Sequence, residues 1–535
     1  MSAPFTPLFI GIPGHAKPLS PEIAGNKAAQ LWHMSRLGLA VPPAFVLPAT
    51  LCTAVNQGEP VALRALEHGL RQGIAALEDV TGRNFGDARA PLLVSVRSGA
   101  AQSMPGMLDT ILDVGMNATT LHGLIFQTGN PRLAWDCYRR LLQMYAEVVL
   151  QAPRTGFEAA LAALFHEEGA ASEAELDSEA LEHLARRFFA MATDMPDDPA
   201  AQLLAAAKAV YRSWESPRAR EYRRLNKLEH LTGTAVTVQV MVFGNAGRDS
   251  GAGVAFSRNP ATGAAEFYAD YLANAQGEDV VAGRRATGGA GALAAALPEA
   301  AQRLEAGARR LEAEFRDVQD IEFTIERGKL FFLQTRAAKC PPRAALRVLV
   351  DFVAEGVLSP AEALKRAEKI DLELVRETRF TQPAEAVASA VAAAPGVACG
   401  RAAFSSETAK ALVEKGDPAI LVRHDTATED VAGFAVASGI LTATGGRTAH
   451  AAVVARQMGR VCLVGCAALH FTPQGVELAG QKLAEGDWLC LDGEAGEISR
   501  GRREIVSELP EAEMAALASW RAKTDAGLFG GEMDA

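Results

Sequence analysis

Apolar and polar positions change rhythm along the chain, and each rhythm predicts a kind of element. Over residues 1–340 short apolar runs mix with helical periodicity. Residues 92–96 and 236–243 read as buried strands. Between them, roughly 130–231, Ala, Leu, Glu and Arg recur with a 3.6-residue period and predict a long, mostly helical section. Residues 320–336 switch to period 2. Ile321, Phe323 and Ile325 alternate with Glu322 and Thr324, Gly328 marks a turn, and Leu330 to Thr335 return as a second strand. A three-residue turn there sets Glu322 opposite Gln334.

Past Pro341-Pro342 a helical stretch extends to about Arg376. Residues 381–395, Ala-rich and bounded by prolines, read as a hinge linker. From Gly396 to about Arg503 short strands alternate with helices and end in a strand-and-turn run, 488–498. The tail from Glu504 reads as one amphipathic helix with a loose GGEMDA end. No internal repeat is visible. The patterns predict a multidomain α/β and α+β chain in four parts. These are 1–340 with a helical insertion at about 130–231, a helical segment and hinge at 341–395, a small domain at 396–503, and a tail at 504–535.

One helical pattern carries chemistry. Ala451, Val454, Ala455 and Met458 recur at i, i+3, i+4 and i+7, with Gly459 as the stop. Gly445 and Gly446 free the chain to turn just before it. Thr448 is a helix-capping residue type, and His450 falls in the first turn. A lone histidine so placed is more often solvent-facing or a cap. It is also well placed to carry a phosphoryl group, because its ring nitrogen is a nucleophile and the helix N-terminus can hold phosphate oxygens.

Length and charge narrow the classes. The 535 residues exceed a single core and suggest roughly three or four domains. With 49% hydrophobic and 22% charged residues the composition is that of a soluble globular protein. A net charge of −11 argues against a general nucleic-acid or membrane-surface binder. No long apolar run predicts a membrane span, and the start lacks the plan of a signal peptide. Seven scattered Cys without a CxxC fit reduced thiols in a cytoplasmic protein, and Cys462 and Cys466 read as core residues.

The segment Gly445 to Arg456 (GGRTAHAAVVAR) resembles the phosphohistidine motif of the pyruvate, phosphate dikinase and phosphoenolpyruvate-utilising family. Arg447 stands where that family has Met, and Ala449 where it has Ser. A second segment, SVRSGA from Ser95 with MPGMLDT from Met104, is similar to the dikinase nucleotide loops. The family start is matched by Gly25-Asn26-Lys27, with Asn26 replacing a Gly. Residues 250–260 resemble the family's second glycine loop, with Ala252 in place of Thr, and Asp270 stands where a Glu is usual.

The resemblance implies an ATP-grasp-like nucleotide domain and a swivelling β/β/α phosphohistidine domain. It implies His450 as the phosphorylated residue, supported by Gly445, Gly446 and Thr448. Nucleotide and phosphate contacts fall to Lys27, Arg97, Gly106, Gln239, Met241, Gly253, Glu278 and Arg336. Glu322 and Gln334 are implied as Mg²⁺ ligands, with Asp320 beside them; one carboxylate and one amide oxygen are hard donors suited to that ion. The implied reaction takes MgATP and inorganic phosphate to phosphohistidine, AMP and pyrophosphate. The resemblance stops near Arg503, before the family's pyruvate and phosphoenolpyruvate barrel, since a (β/α)₈ barrel takes about 250 residues. A separate barrel protein is therefore the expected acceptor partner. Transfer to another acceptor, or a non-catalytic ATP-binding relic, stay open, as does a homodimer.

Overall fold

The computed structural model describes residues 6–14, 17–102, 104, 107–170, 172–281, 288–425, 430–447, 449–472 and 475–525. The chain divides into two compact units: Met1–Ala246 with Phe331–Thr335, and Gly247–Leu330 with Arg336–Ala535.

The first unit is built on strands β1 (Leu8–Ile10), β2 (Ala44–Leu47), β3 (Val94–Gly99), β4 (Thr110–Val114) and β5 (Ala235–Val240). Their order is β1-β2-β5-β3-β4, so β5, last in sequence, sits in the middle. Helices α1 (Asn26–Arg36) and α2 (Pro60–Thr81) accompany the early strands. Six further helices, α3 to α8, separate β4 from β5: Ala118–Thr128, Pro131–Val148, Thr155–Glu168, Ser178–Met191, Pro199–Ser213 and Pro217–Leu225. Their starts are written in sequence. Asn117, Asn130, Asp177, Asp198 and Ser216 each accept a hydrogen bond from a backbone N–H in the first turn of the helix they precede, and proline opens three of these five helices. Val96, Val238, Phe45 and Leu47 of the sheet bury into one core with Leu66, Leu70 and Tyr211 of the helices.

The second unit begins with β6 (Gly251–Phe256), β7 (Tyr268–Ala273), α9 (Gly277–Val281), α10 (Pro298–Phe315), β8 (Gln319–Glu326) and the two ends of β9 (Lys329–Ala337), whose middle, Phe331–Thr335, belongs to the first unit. Strand β6 lies between β7 and β8, antiparallel to both. Arg327 and Gly328 both take positive φ, 50° and 76°, so the turn from β8 to β9 has two residues rather than three. At the base of the hairpin Ala338 N–H donates to Val318 O (2.7 Å).

Helices α11 (Pro342–Ala354) and α12 (Pro360–Ala367) follow. The sequence 381–395 is more than a linker: β10 (Ala388–Ser389) and β11 (Val391–Ala394) form the two edges of an eight-stranded sheet. Its other strands are β12 (Val397–Ala403), β13 (Ala419–Arg423), β14 (Gly439–Thr442), β15 (Val461–Val464), β16 (Trp488–Asp492) and β17 (Glu497–Arg500), in the order β10-β17-β16-β12-β13-β14-β15-β11. The run β12 to β15 is parallel. Its members Ile420-Leu421-Val422 and Val461-Cys462-Leu463-Val464 are buried throughout, as a sheet covered on both faces demands.

The tail adds a strand, Ile505–Glu508, paired with Glu377–Phe380, before its helix Glu511–Asp525 buries Leu517 and Trp520 in one cluster with Phe352. Cys399 and Cys490, expected as thiols, stand directly opposite on β12 and β16 and are joined as a disulfide. Cys462 and Cys466 are free and buried, as their sequence setting predicts. Among the described residues no helix is long and apolar enough to cross a membrane.

Candidate functional site

Two polar sheet faces, one in each unit, gather the residues that the sequence singled out. In the first unit Ser95 and Arg97 of β3 lie in register with Gln239 and Thr237 of β5. Directly paired residues share a face, so these four side chains form a polar face, while Val94, Val96, Val236 and Val238 point into the core. Arg97 Nη1 donates to Gln239 Oε1 (3.2 Å), and Gln239 Nε2 donates to Pro42 O (3.1 Å). Gln239 is only 2% exposed, so it orients Arg97 rather than offering an amide to solvent. Arg97 sits inside β3, not in a loop leaving it. Met241 is buried, and its N–H is committed to Leu93 O (3.0 Å).

Lys27 opens α1 beside the end of β3. Asn26 N–H donates to Ala100 O (2.9 Å), and Gly25, at φ 78°, approaches so closely that an added Cβ would meet Gly99 O at 2.2 Å. Only glycine satisfies both conditions there.

In the second unit the register across three strands builds an acidic face. Asp320 pairs with Phe256, and Phe256 with Tyr268; Glu322 pairs with Val254, and Val254 with Asp270. The strand period of two puts Asp320, Glu322, Tyr268 and Asp270 on one face. Tyr268 Oη donates to Asp270 Oδ1 (2.6 Å). Burial, then the neighbouring Asp270 carboxylate, pushes the Tyr268 phenol well above its ordinary pKa, so the hydroxyl keeps its proton.

Asp320 is 8% exposed and has one salt-bridge partner, Arg336, whose Nε donates to Oδ2 at 2.8 Å. Its Oδ1 is buried without a hydrogen-bond partner among the described residues. Burial raises its pKa above the ordinary carboxylate value, although Arg336 opposes the shift. A buried carboxylate oxygen lacking a donor, beside the Glu322 carboxylate, fits a hard divalent cation that takes one or two carboxylates with phosphate and water oxygens. Among the described residues no group of three or more His, Cys, Asp and Glu is gathered around one point. Of the two expected metal ligands, Glu322 belongs to this unit and Gln334, buried, to the other.

Gly253 lies mid-strand in β6, not in a loop; a Cβ there would meet Asp270 O and the Phe323 ring, each at 2.4 Å, so its smallness serves close packing. Glu278 lies in the first turn of α9, half-buried. Gly106 and Thr448 lie outside the described residues.

The helix α13 (His450–Gln457), reached through Gly445 at φ 100°, starts at His450 as the sequence predicts. Arg456, on its last turn, is 2% exposed, and Nη1 donates to Arg447 O (2.8 Å) and Ala393 O (3.0 Å). Burial pulls its guanidinium below the ordinary value, opposed in part by the Asp320 carboxylate. Arg447 Nε donates to Ala392 O, and its guanidinium carbon lies 4.8 Å from the Tyr268 ring centre. The His450 helix therefore approaches the acidic face within one compact unit. Tyr268 and Arg456 are the site residues that sequence reasoning missed. Only the pairing of β6 with β7 and β8 brings Tyr268 into the row of Asp320.

A nucleotide-binding sheet and a histidine-bearing mobile domain form the class to which two family models assign this chain. Residues 59–288 match the pyruvate phosphate dikinase AMP/ATP-binding domain, and 415–496 match the mobile domain of PEP-utilising enzymes. The chain belongs to the pyruvate phosphate dikinase and PEP-utilising family through its nucleotide-binding and mobile (phosphohistidine) domains. It is 43% identical over 515 residues to a pyruvate, phosphate dikinase of Clostridium symbiosum, covering 94% of this chain and 59% of that protein. To the pyruvate, phosphate dikinase of Rhizobium meliloti it is 40% identical, over 93% of this chain and 58% of that one. Against the chloroplastic pyruvate, phosphate dikinase 1 of Zea mays the identity is 39%, over 93% and 54%. The chain thus spans less than two thirds of the length of these curated relatives.

Proposed function

We propose that this chain is an ATP-dependent phosphotransferase that loads a phosphoryl group onto His450. The observation that carries the reading is the approach of the His450 helix to the sheet face bearing Asp320, Glu322 and Asp270, through Arg447 and Tyr268. A ring nitrogen of neutral His450 attacks the β-phosphorus of ATP. The bond to the α-phosphate bridging oxygen breaks, AMP leaves, and a pyrophosphoryl group stays on the imidazole. Inorganic phosphate then accepts the γ-phosphoryl group, releasing pyrophosphate and leaving phosphohistidine.

Lys27, Arg97 and Arg336 neutralise the charge that develops on the phosphate oxygens, and Gly253 and Glu278 line the nucleotide. Glu322, Gln334 and Asp320 are the groups that would hold Mg²⁺; when bound, that ion withdraws charge from the phosphates. The nucleotide part is of the ATP-grasp type, residues 1–340, and the eight-stranded sheet domain, which takes in residues 388–394 with 396–503, swivels on the segment that precedes it. The phosphoryl group then passes from His450 to pyruvate, giving phosphoenolpyruvate.

The test incubates the protein with β-labelled ATP, Mg²⁺ and phosphate. The expected result is acid-labile, base-stable label on the wild type, none on His450→Ala, and release of AMP and pyrophosphate. No label with or without phosphate would sink the enzyme reading and leave a nucleotide-binding module. Formation of phosphoenolpyruvate from pyruvate by this chain alone would remove the need for a barrel partner.

A further inference from the structure

The residue three positions ahead of His450 is held from two sides. Arg447 donates through Nε to Ala392 O on the edge strand β11, and its own carbonyl accepts from Arg456, which also grips Ala393 O. The backbone ahead of the His450 helix is thereby clipped to the eight-stranded sheet. The guanidinium plane reaches away from that sheet to the ring of Tyr268 on β7, 4.8 Å from its centre. Tyr268 is itself fixed, its hydroxyl donating to Asp270 and its ring against Phe256 at 6.1 Å. Tyr268 shares a cross-strand row with Asp320. A cation over an aromatic face is a directional attraction that strengthens as water is excluded.

We propose that Arg447 is a positioning residue for phosphoryl transfer: its stack on Tyr268 latches the His450 segment against the nucleotide sheet for attack on ATP. The inference rests on the phosphotransferase reading and adds to it a pair of residues that determine the docked state. Methionine, which the phosphohistidine motif otherwise carries at this position, cannot supply the cationic attraction. The latch acts on the rate of transfer and not on nucleotide binding, because the Arg447 side chain contacts the tyrosine ring and one backbone carbonyl, Ala392 O.

The test compares wild type, Arg447→Met, Arg447→Lys, Tyr268→Leu, Tyr268→Phe and the Arg447→Met/Tyr268→Leu double variant. It measures single-turnover labelling from β-labelled ATP, nucleotide affinity and thermal midpoint. Arg447→Met and Tyr268→Leu should each slow labelling about tenfold, with nucleotide affinity held within about twofold. Arg447→Lys and Tyr268→Phe, which keep a cation and a ring, should stay within about threefold of wild type. The double variant should be no slower than the slower single one, the signature of one shared interaction. Unchanged labelling in both single variants, additive losses in the double variant, or a parallel loss of nucleotide affinity would overturn the latch. A wild type that takes no label overturns the phosphotransferase reading, and the latch with it; a labelled wild type with unaffected variants overturns the latch alone.

Discussion

Two buried aspartates, one in each unit, show how differently a protein can treat the same group. Asp136, on helix Pro131–Val148, is 4% exposed and fully engaged. Its Oδ1 accepts from Arg139 (2.7 Å) and Arg140 (3.2 Å), and its Oδ2 from Asn245 (2.8 Å). Glu173 closes the cluster onto Arg139 and Arg140. Burial alone would raise the Asp136 pKa, but the charges of Arg140, Arg139 and Arg132 more than offset it and hold the carboxyl well below its usual range. Asp320 is about as buried, yet it has Arg336 and an oxygen with no donor, and its carboxyl is shifted upward. The first arrangement is a closed structural ion cluster. The second is an open valence on the face that the His450 helix approaches. Satisfaction of the oxygens, not depth of burial, separates these two acids.

The comparison can be broken at either end. Asp136→Ala leaves two buried arginines with Glu173 as the remaining anion of their cluster. It should destabilise the first unit by about 3–5 kcal/mol, read by denaturant or thermal unfolding. A loss below about 1 kcal/mol would mean that the cluster contributes nothing net. Asp320→Asn should do the reverse. Its labelling from β-labelled ATP is expected to fall by about a hundredfold, through lost charge stabilisation of the phosphates, while its thermal midpoint stays close to wild type. An unfolded or poorly folded Asp320→Asn would place that residue with Asp136 as structural.

Acid sharpens the contrast. The folded Asp136 and Glu173 carboxyls titrate below their ordinary values of 3.8 and 4.5. The stabilisation they supply is therefore complete above those values and is lost as pH falls through the folded ones. The wild-type melting temperature should fall more steeply below pH 4.5 than that of Asp136→Asn. Equal slopes would remove Asp136 from the acid response. The smallest effect belongs to an exposed control, Arg186→Ala. It breaks a 2.6 Å pair with Glu182 but should change stability by no more than about 0.5 kcal/mol.

Much of the architecture is legible in the sequence because it is local. The 3.6-residue period over 130–231 becomes helices between Pro131 and Leu225, and the capping side chains mark their starts. The period-2 pattern at Ile321, Phe323 and Ile325 becomes a strand with those side chains buried. The helix that begins at His450 and stops before Gly459 also follows from spacing alone. Less local features escape such reading. Residues 388–394 read as linker because they are small and proline-bounded, yet they complete a sheet with strands some 70–110 residues away in sequence. The strand at Ile505–Glu508 is hidden in an apparently helical tail for the same reason: its partner is Glu377–Phe380. The hairpin turn is one residue shorter than its sequence suggests, because Arg327 adopts a positive φ that side chains other than glycine seldom signal.

By itself the sequence determined the elements, the polar and apolar face of each strand, and the histidine at a helix start after two glycines. Periodicity, caps and turn residues act over a few residues and are written where they act. Tertiary structure decided which side chains meet: Arg97 with Gln239, Asp320 in the cross-strand row of Tyr268, and Arg447 over that same tyrosine. A strand's period of two fixes which side a residue faces but not its partner on the next strand. That choice comes from the burial of all the strands together.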